Sequence, residues 1–174
     1  FAHSGHKFGS VDGMPWPRIS QDFKNFKART EGTTLIMGAK TFASLPSKLS
    51  GRPHCVVVDP VRDGPVAKNG DTPDFCISIN DFERLLKNHL GNDIGQYSII
   101  GGAALLEIAL PYTDKVIRTQ IYYPTPSGTQ VTKTLSPEFV NHLEVWGYRK
   151  EKHSYLDLEH GSSITEEVLL RDKE

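Results

Sequence analysis

At 174 residues, with 20 Lys and Arg against 21 Asp and Glu and a formal net charge of −1, the chain is sized for one domain with a sizeable core. That balance gives no electrostatic reason to expect nucleic acid or an anionic membrane as partner. No apolar run approaches the ~18 residues of a membrane span, no signal-peptide pattern opens the chain, and the two cysteines, Cys55 and Cys76, fall in strand-like segments, so a reduced cytoplasmic protein is expected.

In chain order, HSGH (3–6) sets two imidazoles close together, but no third ligand accompanies them and no metal site is expected. GMPWPRISQDFKNFKART (13–30) holds Trp16 between Pro15 and Pro17 and runs into a helix from about Ser20 to Arg29. At about 100° per residue, Ile19, Phe23 and Phe26 form an apolar stripe, Gln21, Lys24, Asn25 and Ala28 take the opposite face, and Asp22 lies within about 40° of Phe26. Two readings of Asp22 stand side by side. One is a helix-start acid stabilised by the dipole by about 0.3–1 kcal/mol. The other is a partly desolvated carboxylate that faces an aromatic-lined pocket and binds a cationic or amidine-like group.

TTLIM (33–37), HCVVVD (54–59) and YSII (97–100) are continuously apolar, as strands buried on both faces are. Gly38 leads the first into AKTFASL, and Gly101-Gly102 leads the third into AALLEIAL. The turn-rich segment 60–74 reads as a surface loop, and Asn80 as the cap of a helix over 80–90. After Pro111, VIRTQIYY, HLEVWGYRKEKHSYLDLEH and SITEEVLLR read as extended strands, the last pair joined through His160-Gly161. The pattern predicts an α/β fold with a mostly parallel sheet, helices on both faces and an antiparallel C-terminal edge. Ligands of such a sheet sit beyond the carboxyl ends of its strands, where Gly38, Asp59 and Gly101 fall. Lys40 and Thr41 would add a charge and a hydroxyl at one helix start, and Gly101-Gly102 a bare backbone at the other. Either strand-Gly-helix turn alone can be purely structural; two in one sheet suit a nucleotide-sized ligand, although no G-x-G-x-x-G occurs.

FGSVDGMPW (8–16), Asp22 with FKNFKART (23–30), LIMGAKTF (35–42), LSGRPHCVVV (49–58), SIIGGAALLE (98–107) and IRT (117–119) together resemble dihydrofolate reductase. The resemblance runs from about Phe8 to Leu170, and the spelling NFKARTEGT and IMGAKTF looks most like the bacteriophage branch of that family. It implies a single domain over 1–174 built on an eight-stranded, largely parallel sheet, and NADPH-dependent reduction of 7,8-dihydrofolate. Asp22 matches the acid that hydrogen-bonds the pterin's 2-amino and N3 groups, Trp16 the Trp that holds a water beside it, and Thr119 the Thr whose hydroxyl supports it. Phe23, Phe26, Leu45 and Leu49 would line the pterin and aminobenzoyl pocket, and Arg52 would pair with the folate α-carboxylate. Phe8, Gly9, Met14, Gly38, Ala39, Lys40, Thr41, Val58, Asp59, Ile100, Gly101, Gly102, Ala103, Ala104 and Leu105 match positions around the cofactor. Residues 9–24 would form a loop that closes over it, and the paired glycines would carry a non-proline cis peptide. Antifolates are implied as ligands, with a monomer or homodimer as the assembly.

The sequence departs from the family at several of these positions. Ala39 stands where a basic residue usually meets the cofactor's 2′-phosphate, and Val58-Asp59 replace a hydroxyl-bearing pair. An acid near the adenosine ribose suits a free 2′-OH; Lys40 and Arg62 are the cations that would compensate, so NADPH remains the expected cofactor. Ala104 occupies a position where a basic residue often helps the diphosphate. The first family strand begins before Phe1, so part of a cofactor-side wall is expected outside this numbering. Two rivals remain at this stage: a fold-related pyrimidine reductase of riboflavin synthesis, in which Arg52, Phe23 and Phe26 would lack their roles, and a non-catalytic folate- or nucleotide-binding structural protein, against which Asp22, Trp16 and Thr119 argue.

Overall fold

A computed structural model describes residues 1–10, 14–59, 64–89, 96–123 and 131–172. In chain order the elements are β1 (Ala2–His3), β2 (Lys7–Ser10), α1 (Ser20–Thr30), β3 (Thr34–Gly38), α2 (Ala39–Ser44), β4 (His54–Val57), β5 (Phe75–Ile77), α3 (Ile79–His89), β6 (Tyr97–Gly101), α4 (Ala103–Ala109), β7 (Lys115–Tyr122), β8 (Val131–Thr134), α5 (Pro137–Asn141), β9 (Tyr148–Asp157) and β10 (Ser163–Arg171). They fall into two compact units, a terminal one of Phe1–Phe23 with Thr113–Glu174 and a central one of Lys24–Tyr112.

The central unit is a four-stranded sheet in the order β5-β4-β3-β6, parallel throughout. The apolar runs are continuous because both faces of this sheet are covered. Ile36, Cys55 and Val57 pack with Phe82 and Leu86 of α3 and Leu105 and Ala109 of α4. Leu35, Met37 and Val56 face the other way, onto Phe42 of α2 and Ala67, with Phe26, Leu45 and Leu49 at the margin. Leu35, Ile36, Met37, Phe42 and Val56 are fully buried, each side chain stabilising the fold by about 1.5–3 kcal/mol. The cap of α3 differs from the expected Asn80. The Asp81 amide donates to Ser78 Oγ at 3.1 Å and the Ser78 hydroxyl donates back to the Asp81 carboxylate at 2.8 Å, so Ser78 closes the turn and Asn80 lies inside it.

The terminal unit holds a mixed sheet in the order β1-β7-β10-β9. β1 runs parallel to β7, whereas β10 is antiparallel to both β7 and β9, which gives the expected antiparallel C-terminal edge. β2 and β8 form a separate two-stranded ribbon. HSGH is a tight turn closed by reciprocal backbone hydrogen bonds between Ser4 and Lys7 of 3.0 and 3.1 Å. The segment from 142 is not one long strand: Leu143–Trp146 is a 3-10 turn, and Gly147, at φ +81°, stops it in the left-handed region before β9 begins. Just upstream, Ser136 caps α5 by accepting the Phe139 amide at 3.1 Å, with Pro137 in the first turn. The described pairings thus comprise two four-stranded sheets and one ribbon, and the all-parallel portion is the sheet of Lys24–Tyr112.

Candidate active site

In the terminal unit, Asp22 sits in the first turn of α1 and is half-buried. Burial is the chief cause that raises its carboxyl above the usual range; the Phe1 amino group opposes the shift and Glu166 adds to it. A helix dipole would act the other way, so desolvation governs this acid. Of the stripe beside it, Ile19 is half-buried, and Phe23 is 38% exposed with the Arg18 guanidinium 4.5 Å above its ring. Trp16 is buried, and its indole Nε1–H has no hydrogen-bond partner among the described residues. Thr119 is buried at the middle of β7, its amide donating to the Phe1 carbonyl at 2.8 Å. Phe8 and Gly9 lie half-buried on β2; Met14 is 38% exposed, and its carbonyl accepts from the Ser10 hydroxyl at 3.4 Å. The middle of the expected mobile loop, residues 11–13, lies outside the described residues, as does Arg62.

In the central unit, Arg52 is held from two sides. Its Nη1 donates to Thr30 Oγ1 at 2.8 Å, its Nε donates to the Ser50 carbonyl at 3.3 Å, and its guanidinium lies 5.7 Å from the centre of the Phe26 ring. The Thr30 hydroxyl itself donates to the Phe26 carbonyl at 2.8 Å. Leu49 and Arg52 line an open cavity of about 560 Å³ together with Lys48, Ser50, Gly51, Pro53, Asp74 and Phe75, while Leu45 packs on the core margin. Fully buried His54 accepts the Leu49 amide at Nε2, 3.0 Å away, which puts the ring proton on Nδ1. Burial lowers the His54 pKa although Asp74 opposes the shift, so the neutral acceptor persists and fixes the loop that carries Leu49 and Arg52. Sequence reasoning passed over both Thr30 and His54. No motif marks them, and a His beside two strand residues reads as core.

The remaining expected positions gather at the carboxyl ends of β3, β4 and β6. Gly38 and Gly101 close their strands, and Asp59 lies two residues beyond β4 and is exposed. The Gly101–Gly102 peptide is cis, and Gly101 adopts φ +131°, a region that side chains disfavour. A Cβ on Gly38 would meet the Gly102 nitrogen at 3.8 Å and Leu105 Cδ1 at 3.9 Å, and one on Gly102 would meet Thr41 Oγ1 at 3.8 Å, all ordinary contacts. Gly38 and Gly102 also have commonplace φ angles of −77° and −72°. Contacts beyond the adjacent residues therefore do not call for glycine at either position. Ala39, Thr41, Val58, Ile100 and Ala103 are half-buried around this edge, whereas Lys40 and Ala104 are exposed and the Leu105 side chain is taken up by the core.

A sequence model of the family described as Dihydrofolate reductase matches residues 2–166. The chain belongs to the dihydrofolate reductase family. Among its relatives, dihydrofolate reductase type 9 of Escherichia coli is 34% identical over 131 residues, 73% of this chain and 70% of that protein. Dihydrofolate reductase type 8 of E. coli is 31% identical over 99 residues, and the chain spans 57% of its length. The fold is likewise that of dihydrofolate reductase. The enzyme from Enterococcus faecalis, solved as a complex with NADP(H) and RAB-propyl, superposes with a TM-score of 0.71 over 99% of this chain and 94% of that one, at 18% identity.

Proposed function

We propose that this chain reduces 7,8-dihydrofolate to tetrahydrofolate with NADPH, and that the residues named from the sequence carry the reaction. Membership of the family over residues 2–166 is the observation that carries this reading. The glycine edge supports it: no heavy atom beyond the adjacent residues lies closer than 3.8 Å to where a Cβ on Gly38 or Gly102 would stand, so the protein backbone there is open to close approach by a ligand. Gly38, Thr41, Gly101, Gly102 and Ala103 would hold the cofactor there, with Lys40 as the nearby cation and Ala39 and Asp59 toward its ribose. When bound, NADPH supplies the hydride that C6 of the pterin accepts.

The chain's own residues prepare the pterin. The Asp22 carboxylate accepts two hydrogen bonds from its 2-amino and N3 groups, and the negative charge favours a proton at N5. Asp22 binds the edge of the ring away from N5 and so tunes the pterin without handing over the proton itself. Desolvation strengthens that interaction, because a charge in a low-dielectric pocket acts further than one in water. The Trp16 indole N–H, buried without a partner among the described residues, suits an ordered water beside the acid. Thr119 steadies the acid, and Phe23, Phe26, Leu45 and Leu49 cover the flat rings. Antifolates would compete for these same groups; a cytoplasmic enzyme of the bacteriophage-like branch, a monomer or homodimer, belongs to the same reading.

Arg52, preset by Thr30 and Phe26, pairs with the α-carboxylate of the substrate. Arg52→Gln should raise KM for dihydrofolate by about 10–100-fold with kcat within a few-fold, as loss of charge-assisted hydrogen bonds worth about 1.5–3 kcal/mol requires. An unchanged KM would remove Arg52 from the substrate site. The reading as a whole is tested by loss of absorbance at 340 nm with dihydrofolate, comparing NADPH with NADH. Turnover with NADPH is expected; none with either cofactor would sink the reading, and equal rates would show that Ala39 and Asp59 relax cofactor choice.

A further inference from the structure

In the central unit, the loop that carries Leu49 and Arg52 is held from a further side, by the residue just before β5. Asp74 and His54 clamp each other: the Asp74 amide donates to the His54 carbonyl at 3.0 Å, and the His54 amide donates to Asp74 Oδ2 at 2.7 Å. The other carboxylate oxygen, Oδ1, accepts from the Lys48 ammonium at 2.5 Å. One side chain thus ties Lys48, in the loop after α2, to His54 at the start of β4, on either side of Leu49 and Arg52. Asp74 Oδ2 also lies 3.7 Å from Nδ1 of His54, the ring nitrogen that keeps its proton because Nε2 accepts the Leu49 amide. A negative charge beside Nδ1–H favours that tautomer, so the same carboxylate keeps the ring an acceptor for Leu49. Asp71 adds a third tie, accepting the Lys48 amide at 2.9 Å.

We propose that Asp74 is a positioning residue for dihydrofolate: by clamping residues 48 and 54 it places Leu49 and the Arg52 guanidinium, and so sets the affinity for the aminobenzoyl-glutamate half of the substrate. This rests on the reading of Arg52 as the partner of the substrate's α-carboxylate. Thr30 and Phe26 hold the tip of the Arg52 side chain, whereas its Nε donates to the Ser50 carbonyl, which itself rides on the clamped loop. Asp74 therefore fixes the backbone that bears the guanidinium, and Thr30 fixes where the guanidinium ends. Position and charge make opposite demands here. Asp74 lines the same open cavity as Lys48, Leu49 and Arg52, so by charge alone its removal would free the Lys48 ammonium and tighten the hold on an anion. By position, its removal loosens the loop and weakens that hold. The direction of the change in affinity thus separates the two effects. Hydrogen bonds from Lys48 and from the His54 amide hold the Asp74 carboxyl below its usual range, so the clamp is closed at neutral pH.

The test compares the full chain with Asp74→Ala, which removes every side-chain tie, and with Asp74→Asn, a milder change in case Ala does not fold. The Asn oxygen can still accept the His54 amide, but it offers no charge to Lys48 or to the His54 ring. Binding is read by quenching of tryptophan fluorescence, with dihydrofolate and with 6-methyl-7,8-dihydropterin, which keeps the pterin and lacks everything Leu49 and Arg52 would hold. Asp74→Ala should raise Kd for dihydrofolate about tenfold and Asp74→Asn about threefold, within the ~10²-fold that a misplacement of about 1 Å can cost. Kd for the methylpterin and the circular dichroism spectrum should match the parent chain, and kcat with dihydrofolate should stay within about threefold. A Kd for dihydrofolate that is unchanged or lower in both variants would overturn the proposal, as would an equal loss for both ligands. Weaker dihydrofolate binding alone, in a chain that shows no reductase turnover, would uphold the positioning role while sinking the reaction proposed above.

Discussion

Asp22→Asn should fold normally, lose about 10²–10³-fold in turnover at pH 7, and recover part of that loss as the pH falls toward 5. An amide offers one acceptor and two donors where the carboxylate offers only acceptors, so it can match the pterin's amidine edge only in part. It also carries no charge to favour a proton at N5, and a group that assists proton placement typically contributes 10²–10⁴-fold. In acid the substrate arrives already protonated, and that part of the deficit disappears. Stability should move in the opposite direction. The Asp22 carboxyl is raised by burial, so the folded state holds its proton more tightly than the unfolded chain does. Below the ordinary carboxylate range both states are protonated and the acid costs nothing; as pH rises through the raised value, the cost of burying the charge appears in full. Asp22→Asn should therefore melt higher than the parent chain at pH 7 and at the same temperature near pH 3. Unchanged turnover at pH 7 would remove Asp22 from the mechanism, and a lower melting temperature at neutral pH would contradict its desolvation.

Arg118→Leu should cost about 3 kcal/mol or more of stability and lower the melting temperature by about 6–12 °C for a chain of this size. Arg118 is 13% exposed at its side chain; its Nε donates to Glu167 at 2.7 Å, its Nη2 lies 2.5 Å from the same carboxylate, and its Nη1 donates to the Val140 carbonyl of α5. Removing it leaves the Glu167 carboxylate, 11% exposed, with only the Lys150 ammonium and the His153 ring among the described residues, both of which reach out to solvent. It also strips the Val140 carbonyl of that donor. Burial alone would raise the Glu167 carboxyl, but hydrogen bonds from Lys150 and Arg118 outweigh it and hold the group below its usual range. The stabilisation is therefore present above the ordinary Glu pKa and is lost as pH falls through the lowered one, so parent and variant should converge in acid. Arg118→Leu combined with Glu167→Leu should recover most of the loss, because the uncompensated charge is gone. Melting temperatures that coincide at pH 7 would show that the pair contributes nothing.

The central sheet was legible because β3, β4 and β6 are buried on both faces, which leaves a continuous apolar run that no surface strand imitates. β2 and β8 escaped notice for the converse reason: they have four residues each and face solvent for much of their length. α5 carried a readable signal, Ser136 followed by Pro137, but the apolar residues after it resemble the start of a strand. On the candidate site, the glycines at the strand ends and the acid on α1 could be read from spacing. What the stripe on α1 does could not: Ile19, Phe23 and Phe26 look like core until burial shows that none of the three is buried. Thr30 and His54 act on Arg52 and Leu49 through hydrogen bonds between residues 5 and 22 apart, which no local pattern announces.

The most direct measurement is the fate of the transferred hydrogen. The full chain would be incubated with 7,8-dihydrofolate and NADPH deuterated at the reactive position of its nicotinamide, and the folate product analysed by mass spectrometry. Tetrahydrofolate carrying one deuterium at C6, formed far more slowly by Asp22→Asn at pH 7, is the expected result. Dihydrofolate recovered unchanged, or product without the label, would contradict the account.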